Sequence, residues 1–331
     1  MKKINYAIMG AGSYADLIGD TVNKMKNVNA YAVASRDLGR AQATADKYGY
    51  SKAYGSYEEM LSDPEIDLVH IATPHSLHAK QAIQCLEAGK HVLCEKAFTV
   101  TADEARSIIA LAKEKNLLIT EAMWPRYVPM AKTIQDFYRS GKIGKIHSLT
   151  GNLGYPIYHI DRLQNPELAG GALLDVGVYA LTFASVVMGN DIKEISTTAV
   201  MNERGVDLKN MTTLTYSDGR TASLFSSSLG PTDRMGVLYG ETGYAIVENI
   251  NNYQSLKVYN AAHELLEQIN CPPQITGYEY QVQAAADAIN AGRIECEDMT
   301  HADTIFIMEL MDKIRHSWGL WYPGEKAESK E

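Results

Sequence analysis

Ile4-Asn5-Tyr6-Ala7-Ile8-Met9-Gly10-Ala11-Gly12-Ser13-Tyr14-Ala15 decides the fold. An apolar run of strand length ends at Gly10, and Ile18, Val22 and Met25 then recur at helical spacing. A GxGxxA therefore lies between a strand and a helix. Gly10 permits the tight turn, Gly12 lets a pyrophosphate approach the backbone, and Ala15 allows close helix–strand packing. Ser13 and Tyr14 open the helix, whose N-terminus faces the phosphates. A glycine motif alone says little; in this setting it predicts a dinucleotide site.

Residues 30–34 form the next apolar run, and Ser35-Arg36-Asp37 follows. A site for NAD has an acid at the end of this strand, bonded to the ribose hydroxyls. Here a hydroxyl and a guanidinium occupy the place, a pair suited to a 2′-phosphate, so NADP is expected. The alternative keeps Asp37 as the ribose acid, with Arg36 a surface charge and NAD the cofactor.

Strand and helix patterns continue to alternate. Ser56 and Thr101 each stand three residues before a Glu (Glu59 and Glu104), the sign of a capped helix start. Residues 68–72, 91–94 and 117–120 read as strands. Such alternation predicts a doubly wound parallel sheet. Thr73, Pro74, His75, Glu95, Lys96 and Glu121 lie at or just past strand C-termini, the edge where these sheets bind ligands. With His78, Trp124 and Arg126 they complete the expected cofactor-binding set. His75 and His78 could equally be structural histidines.

After Glu121 the alternation breaks at Trp124-Pro125-Arg126. We expect a domain of residues 1–123 and a second of 124–331. The second reads as a helix, six strands in a mostly antiparallel sheet, and two terminal helices. Asp218-Gly219 marks a hairpin turn. The residues 169–189, Ala-Gly-Gly-Ala-Leu-Leu-Asp-Val-Gly-Val-Tyr-Ala-Leu-Thr-Phe-Ala-Ser-Val-Val-Met-Gly, read as a helix with one charged residue, Asp175. A lone carboxylate there needs water, a cation or a ligand. Tyr179, four residues on, shares its face. Residues 326–331 read as a frayed tail.

Composition bounds the function. The chain has 331 residues, 46% hydrophobic and 21% charged, as in globular proteins of two domains. A net charge of −9 argues against a nucleic-acid or anionic-membrane partner. The N-terminal run is too short for a signal peptide, and the sequence shows no obvious membrane-spanning run. The four cysteines form no CxxC pair, which points to free thiols in a cytoplasmic protein and away from zinc.

Together, residues 10–15, 34–37, 73–75 with His78, 94–97, 121–124 with Arg126, and 170–179 resemble the family of glucose–fructose oxidoreductase, inositol dehydrogenase and the rhizopine-catabolism protein (Gfo/Idh/MocA). The likeness is greatest to its dimeric dihydrodiol dehydrogenase and sugar dehydrogenase branch. The resemblance implies an α/β protein: an N-terminal Rossmann domain, then an α/β domain with a large, mostly antiparallel open sheet. It implies hydride transfer between NAD(P) and a secondary alcohol or carbonyl. It also implies Tyr179 as acid/base, Lys96 as the cation that lowers the Tyr179 pKa, and Asp175 as the group that orients the substrate hydroxyl or Lys96. Lys96, Asp175 and Tyr179 are then expected to meet at a cleft between the domains. Trp124, Arg126, Tyr155 and Tyr158 suit a sugar, a polyol or a cyclic diol as pocket lining. A homo-oligomer, a dimer or tetramer through the second sheet, is expected. Three positions depart from the wider family: Ala97 replaces a proline, Tyr179 a frequent histidine and His75 a frequent asparagine. Two rival readings remain, Lys96 as the acid/base and a non-catalytic NADP-sensing regulator.

Overall fold

The computed structural model describes residues 2–325; the tail expected to fray lies outside the described residues. The chain divides into two compact units, Met1–Tyr127 with Gln274–Met308, and Val128–Pro273 with Glu309–Glu331.

The first unit is built on six parallel strands: β1 (Ile4–Met9), β2 (Val28–Ala34), β3 (Lys52–Tyr54), β4 (Leu68–Ile71), β5 (His91–Glu95) and β6 (Ile119–Ala122). Their order is β3-β2-β1-β4-β5-β6, the doubly wound arrangement, with the reversal between β1 and β4. β1, β4 and β6 bury almost every residue, as a sheet covered on both faces must. The predicted caps form: Ser56 Oγ accepts from Glu59 N, and Thr101 Oγ1 from Glu104 N, both at 3.1 Å. β3 was not expected. It is a three-residue edge strand with no apolar alternation to betray it.

The boundary also differs from a single cut at residue 123. Residues 274–308 return to the first unit and stitch themselves to it. Gln281 Nε2 donates to the Tyr14 hydroxyl at 3.0 Å, and Thr276 and Thr21 share a hydroxyl bond of 2.8 Å. Ile119 N donates to Ile294 O, and His301 Nε2 lies 3.0 Å from Ile119 O.

The second unit holds eight strands, not six. They are β7 (Ile146–Gly154), β8 (Ile192–Met201), β9 (Asp207–Tyr216), β10 (Thr221–Ser227), β11 (Gly236–Gly240), β12 (Gly243–Glu248), β13 (Ser255–Asn260) and β14 (Leu265–Asn270). The order is β14-β13-β12-β11-β7-β10-β9-β8; only β7 and β10 pair in parallel. β11 escaped notice because glycines bound it, and the packing explains them. A Cβ on Gly236 would lie 2.3 Å from the Phe183 ring, and one on Gly240 would lie 2.2 Å from Ile143 O. β14 is an edge strand whose leucines, Leu265 and Leu266, are exposed.

The helix Val178–Met188 lies on this sheet with Phe183 against Gly151 and Gly236. It does not run back to Gly170 as one α-helix. Residues Leu173–Gly177 form a wider π turn, a feature common at functional sites. The stretch Pro166–Met188, contrary to the expectation from sequence, is long and apolar enough to cross a membrane; here its most apolar part is buried inside the protein, while Glu167 near its start is exposed. Against it residues 312–325 are pinned. Arg315, fully buried, pairs with Asp312 and Glu325, and the Tyr322 hydroxyl donates to Gly170 O at 2.5 Å.

Candidate active site

In the first unit the glycine turn forms as its residue types require. Gly10 adopts φ +116°, and a Cβ there would lie 2.8 Å from Ala72 O. At Gly12 a Cβ would meet nothing within 4 Å, so the backbone lies open to a ligand. The helix Ser13–Lys24 begins there with no side-chain cap, leaving its first amides available. A cleft of about 500 Å³ lies over this turn. Gly10, Ala11, Gly12, Ser35, Arg36, Asp37, Arg40, Tyr57, Ala72, Thr73 and Pro74 line it. An uncapped helix start, an open glycine cradle and a far wall of cations fit a dinucleotide.

That far wall is formed in part by residues 35–37. Asp37 caps its helix: Oδ1 accepts from Arg40 N at 3.1 Å. Arg36 and Arg40 are exposed, and neither pairs with a carboxylate among the described residues. Arg40 Nη2 donates to Ala11 O at 3.2 Å, which holds its guanidinium over the cleft. Sequence reading missed Arg40; its signal was helical, one turn beyond Arg36 on the first turn of the next helix. Tyr57 was missed too, because it comes from a different unit of the alternation.

Several residues expected to bind cofactor make hydrogen bonds or ring contacts within the first unit. His78 is fully buried with Nδ1 2.9 Å from Ala97 O and Nε2 2.8 Å from Thr73 O. Both ring nitrogens face main-chain carbonyls, and the neutral ring donates to one of them, so the ring sits between the turn after β4 and the turn after β5. Burial pulls its pKa down, against the two carbonyls that raise it. Arg126 is likewise committed: Nε donates to Asp298 O at 2.7 Å and Nη2 to Asp303 Oδ2 at 3.0 Å. Trp124, 5% exposed, lies against Tyr278 with ring centroids 4.4 Å apart. The Tyr14 hydroxyl meets Gln281, and burial pushes its phenol far above the usual range. Thr73 Oγ1 is bonded to Gln81. His75 is buried beside His78.

The end of β5 carries a polar chain. Glu95 Oε1 lies 3.0 Å from His70 Nε2, and His70 Nδ1 lies 2.7 Å from the Tyr6 hydroxyl. A carboxylate only accepts, so Nε2 carries the proton and Tyr6 donates to Nδ1. Lys96 follows directly, partly exposed, and its peptide bond to Ala97 is cis. Glu121 is inside β6, not past its end, and is 1% exposed.

In the second unit Asp175 and Tyr179 are 5% and 8% exposed. Asp175 has a cation from its own unit: Arg162 Nη2 lies 3.0 Å from Oδ1. Sequence reading did not single out Arg162, thirteen positions earlier in a short helix of its own. Tyr155 donates to Asn251 Oδ1 at 3.2 Å, with the Arg234 guanidinium over its ring. Tyr158 lies 3.5 Å from Asn202 Nδ2.

Residues 4–123 match the model of an oxidoreductase family with an NAD-binding Rossmann fold, and residues 131–246 match the GFO/IDH/MocA C-terminal domain. The trans-1,2-dihydrobenzene-1,2-diol dehydrogenase of Mus musculus is 29% identical over 336 residues, covering 98% of this chain and 99% of the mouse protein. That of Xenopus laevis is 30% identical over 298 residues, covering 88% and 90%. Among solved structures, a 3-ketoreductase from Actinomadura kijaniata in complex with NADP and TDP-benzene superimposes with TM-score 0.87 at 25% identity, over 95% of this chain and 98% of that one. Variants of that ketoreductase with a lysine replaced by alanine or glutamate, or a tyrosine by phenylalanine, have been solved with the same two ligands. An aldose–aldose oxidoreductase from Caulobacter crescentus shares the fold, with TM-score 0.86 at 22% identity over 96% and 97% of the two chains.

The Glu121 carboxyl is buried, and burial pushes its pKa up to about 8 against the opposing pull of the Thr304 hydroxyl and the Arg126 charge. Its folded value lies above its unfolded one. The stability it contributes is therefore complete below pH 4 and is lost as pH rises through 8. Glu121→Gln should flatten the fall in urea midpoint between pH 6 and 9; an unchanged slope would remove Glu121 as its source.

Proposed function

Because the chain belongs to the GFO/IDH/MocA oxidoreductase family, we propose that it is an NADP-dependent dehydrogenase or reductase acting on a secondary alcohol or carbonyl of a sugar, a polyol or a cyclic trans-dihydrodiol. The names of its relatives support that substrate class, as dihydrodiol dehydrogenases and a ketoreductase. Preference for NADP rests on one observation, the two arginines on the cleft wall that have no carboxylate partner among the described residues. A 2′-phosphate would supply the anion they lack, with Ser35 as a further donor. Gly10, Gly12 and the amides of Ser13 and Tyr14 would hold the pyrophosphate. The nicotinamide supplies the hydride acceptor or donor; the rest falls to the chain.

In this reading Tyr179 takes the proton of the reacting hydroxyl in oxidation and returns it in reduction. Lys96 supplies the positive charge that favours the phenolate. Asp175, held by Arg162, orients the hydroxyl. Tyr155 bounds the substrate pocket on the second unit. The lysine and tyrosine chosen for substitution in the ketoreductase support the pairing of these residue types.

The second sheet supports a homodimer. Its β-register aligns Thr150, Val237, Ile246 and Lys257 in one row and Ser148, Tyr239, Tyr244 and Tyr259 in the next. Met211 is 57% exposed on the same sheet. A face of this kind, rich in tyrosine and threonine with few charges, invites a second copy.

Activity is tested with a panel of aldoses, polyols and trans-1,2-dihydrobenzene-1,2-diol, following reduced cofactor by absorbance. Turnover of no member rejects the reaction class. Arg36→Ala and Arg40→Ala should each weaken NADP binding while leaving NAD binding nearly unchanged; tighter binding of NAD than NADP by the wild type would reverse the assignment. Lys96→Met and Tyr179→Phe should lose roughly 10²- to 10⁴-fold in kcat and keep NADP affinity. Loss only in Lys96→Met transfers the acid/base role to Lys96. Light scattering at micromolar concentration should give twice the chain mass, and a monomer would count against the sheet-face dimer.

A further inference from the structure

The segment that carries Asp175 and Tyr179 begins on a buried carboxylate that no motif singled out. Asp207, the first residue of β9, is 1% exposed. Its Oδ2 accepts from Leu173 N at 2.9 Å and from Asn210 Nδ2 at 2.8 Å. Asn210 in turn accepts from Ser226 Oγ, and a Cβ on Gly177 would lie 3.0 Å from that same hydroxyl. The other oxygen, Oδ1, is buried with no hydrogen-bond partner. It lies where only glycine fits: Gly171 has φ +111°, and a Cβ there would stand 2.4 Å from Oδ1. The residue before, Gly170, is fastened by Tyr322. Entry to the π turn is thus fixed at residues 170, 171 and 173.

We propose that Asp207 is a positioning residue for the reaction, holding the Gly171–Leu173 turn so that Asp175 and Tyr179 are presented correctly. The proposal rests on the assignment of those two residues above. A hydrogen bond to a carboxylate is about twice as strong as one to a neutral acceptor, so the hold depends on the charge. The groups facing Asp207 are the amides of Ala172 and Leu173, its own amide, Asn210 on its strand, and Tyr322, whose ring lies under Arg315. Burial outweighs the hydrogen bonds and pushes its pKa up to about 6.

Two opposite trends follow. A raised carboxyl pKa means that the folded chain binds the proton more tightly than the unfolded chain. The stability from this group is complete below pH 4 and is lost as pH rises through 6. Activity runs the other way, because protonation below pH 6 weakens the hold on Leu173. A residue that only stabilised the fold would not separate the two.

The test compares wild type, Asp207→Asn, Asn210→Ala and Tyr179→Phe. It uses the panel substrate turned over fastest, and measures kcat against pH, NADP affinity and unfolding midpoint. The wild type should show an acid limb near pH 6. Asn210→Ala removes a bond that favours the charge, so the limb should move to higher pH. Asp207→Asn should lose the limb and roughly tenfold or more in kcat, while keeping NADP affinity and its midpoint at pH 7.5. Should Asp207→Asn fail to fold, the limb shift in Asn210→Ala decides alone. A wild-type profile flat through pH 6, or an unmoved limb in Asn210→Ala, overturns the proposal. An active Tyr179→Phe overturns the acid–base assignment instead, and the limb then still judges Asp207.

Discussion

Two backbones that approach too closely for any side chain govern the first unit. At Gly10 the chain turns between β1 and its helix with φ +116°, hard against Ala72 at the end of β4. That contact spans the reversal of strand order, where the sheet opens a crevice. A Cβ at Gly10 would push β1 and β4 apart and close the gap over which the helix N-terminus looks. Gly12 has no neighbour at all in that direction, so its freedom serves the ligand and not the fold. The two glycines, two positions apart, answer to different constraints, and both were readable because their setting was readable.

The sequence was most informative where local chemistry fixes local structure. The caps at Ser56 and Thr101 and the hairpin at Asp218-Gly219 need only neighbours along the chain. The buried strands of the first sheet announce themselves as apolar runs. Legibility failed where a residue's partner is distant. β11 reads as a loop because its glycines make room for Phe183 and Ile143, both far away in sequence. Residues 274–308 read as the close of the second domain, since nothing in them reveals that Gln281 seeks Tyr14 or that Ile294 pairs with Ile119.

The candidate site divides in the same way. The edge position of Thr73, His75, Glu95 and Lys96 followed from strand ends. Which of their neighbours face a ligand did not. His78 and Arg126 carry the chemistry of binding residues, yet the His78 ring lies between two main-chain carbonyls and Arg126 bonds Asp298 O and the Asp303 carboxylate, all within their own unit. Such residues act on the site at one remove, by fixing the turns from which other side chains project. Arg162 and Asp207 do the same in the second unit, for Asp175 and for the turn before it.

The burial of Pro166–Met188 has a consequence for the chain before it folds. The apolar part of this stretch has a mean hydropathy of 1.7, and the sheet that shelters it is assembled almost wholly from strands that follow it. During synthesis the segment leaves the ribosome before β8 to β14 exist. It must wait, uncovered, for about another eighty residues to emerge, several seconds at ordinary rates of elongation. Over that interval it is a target for chaperones and for association with other nascent chains. Heating past the unfolding midpoint exposes it again, so thermal inactivation of this protein should be governed by aggregation of the opened chain and not by a reversible equilibrium.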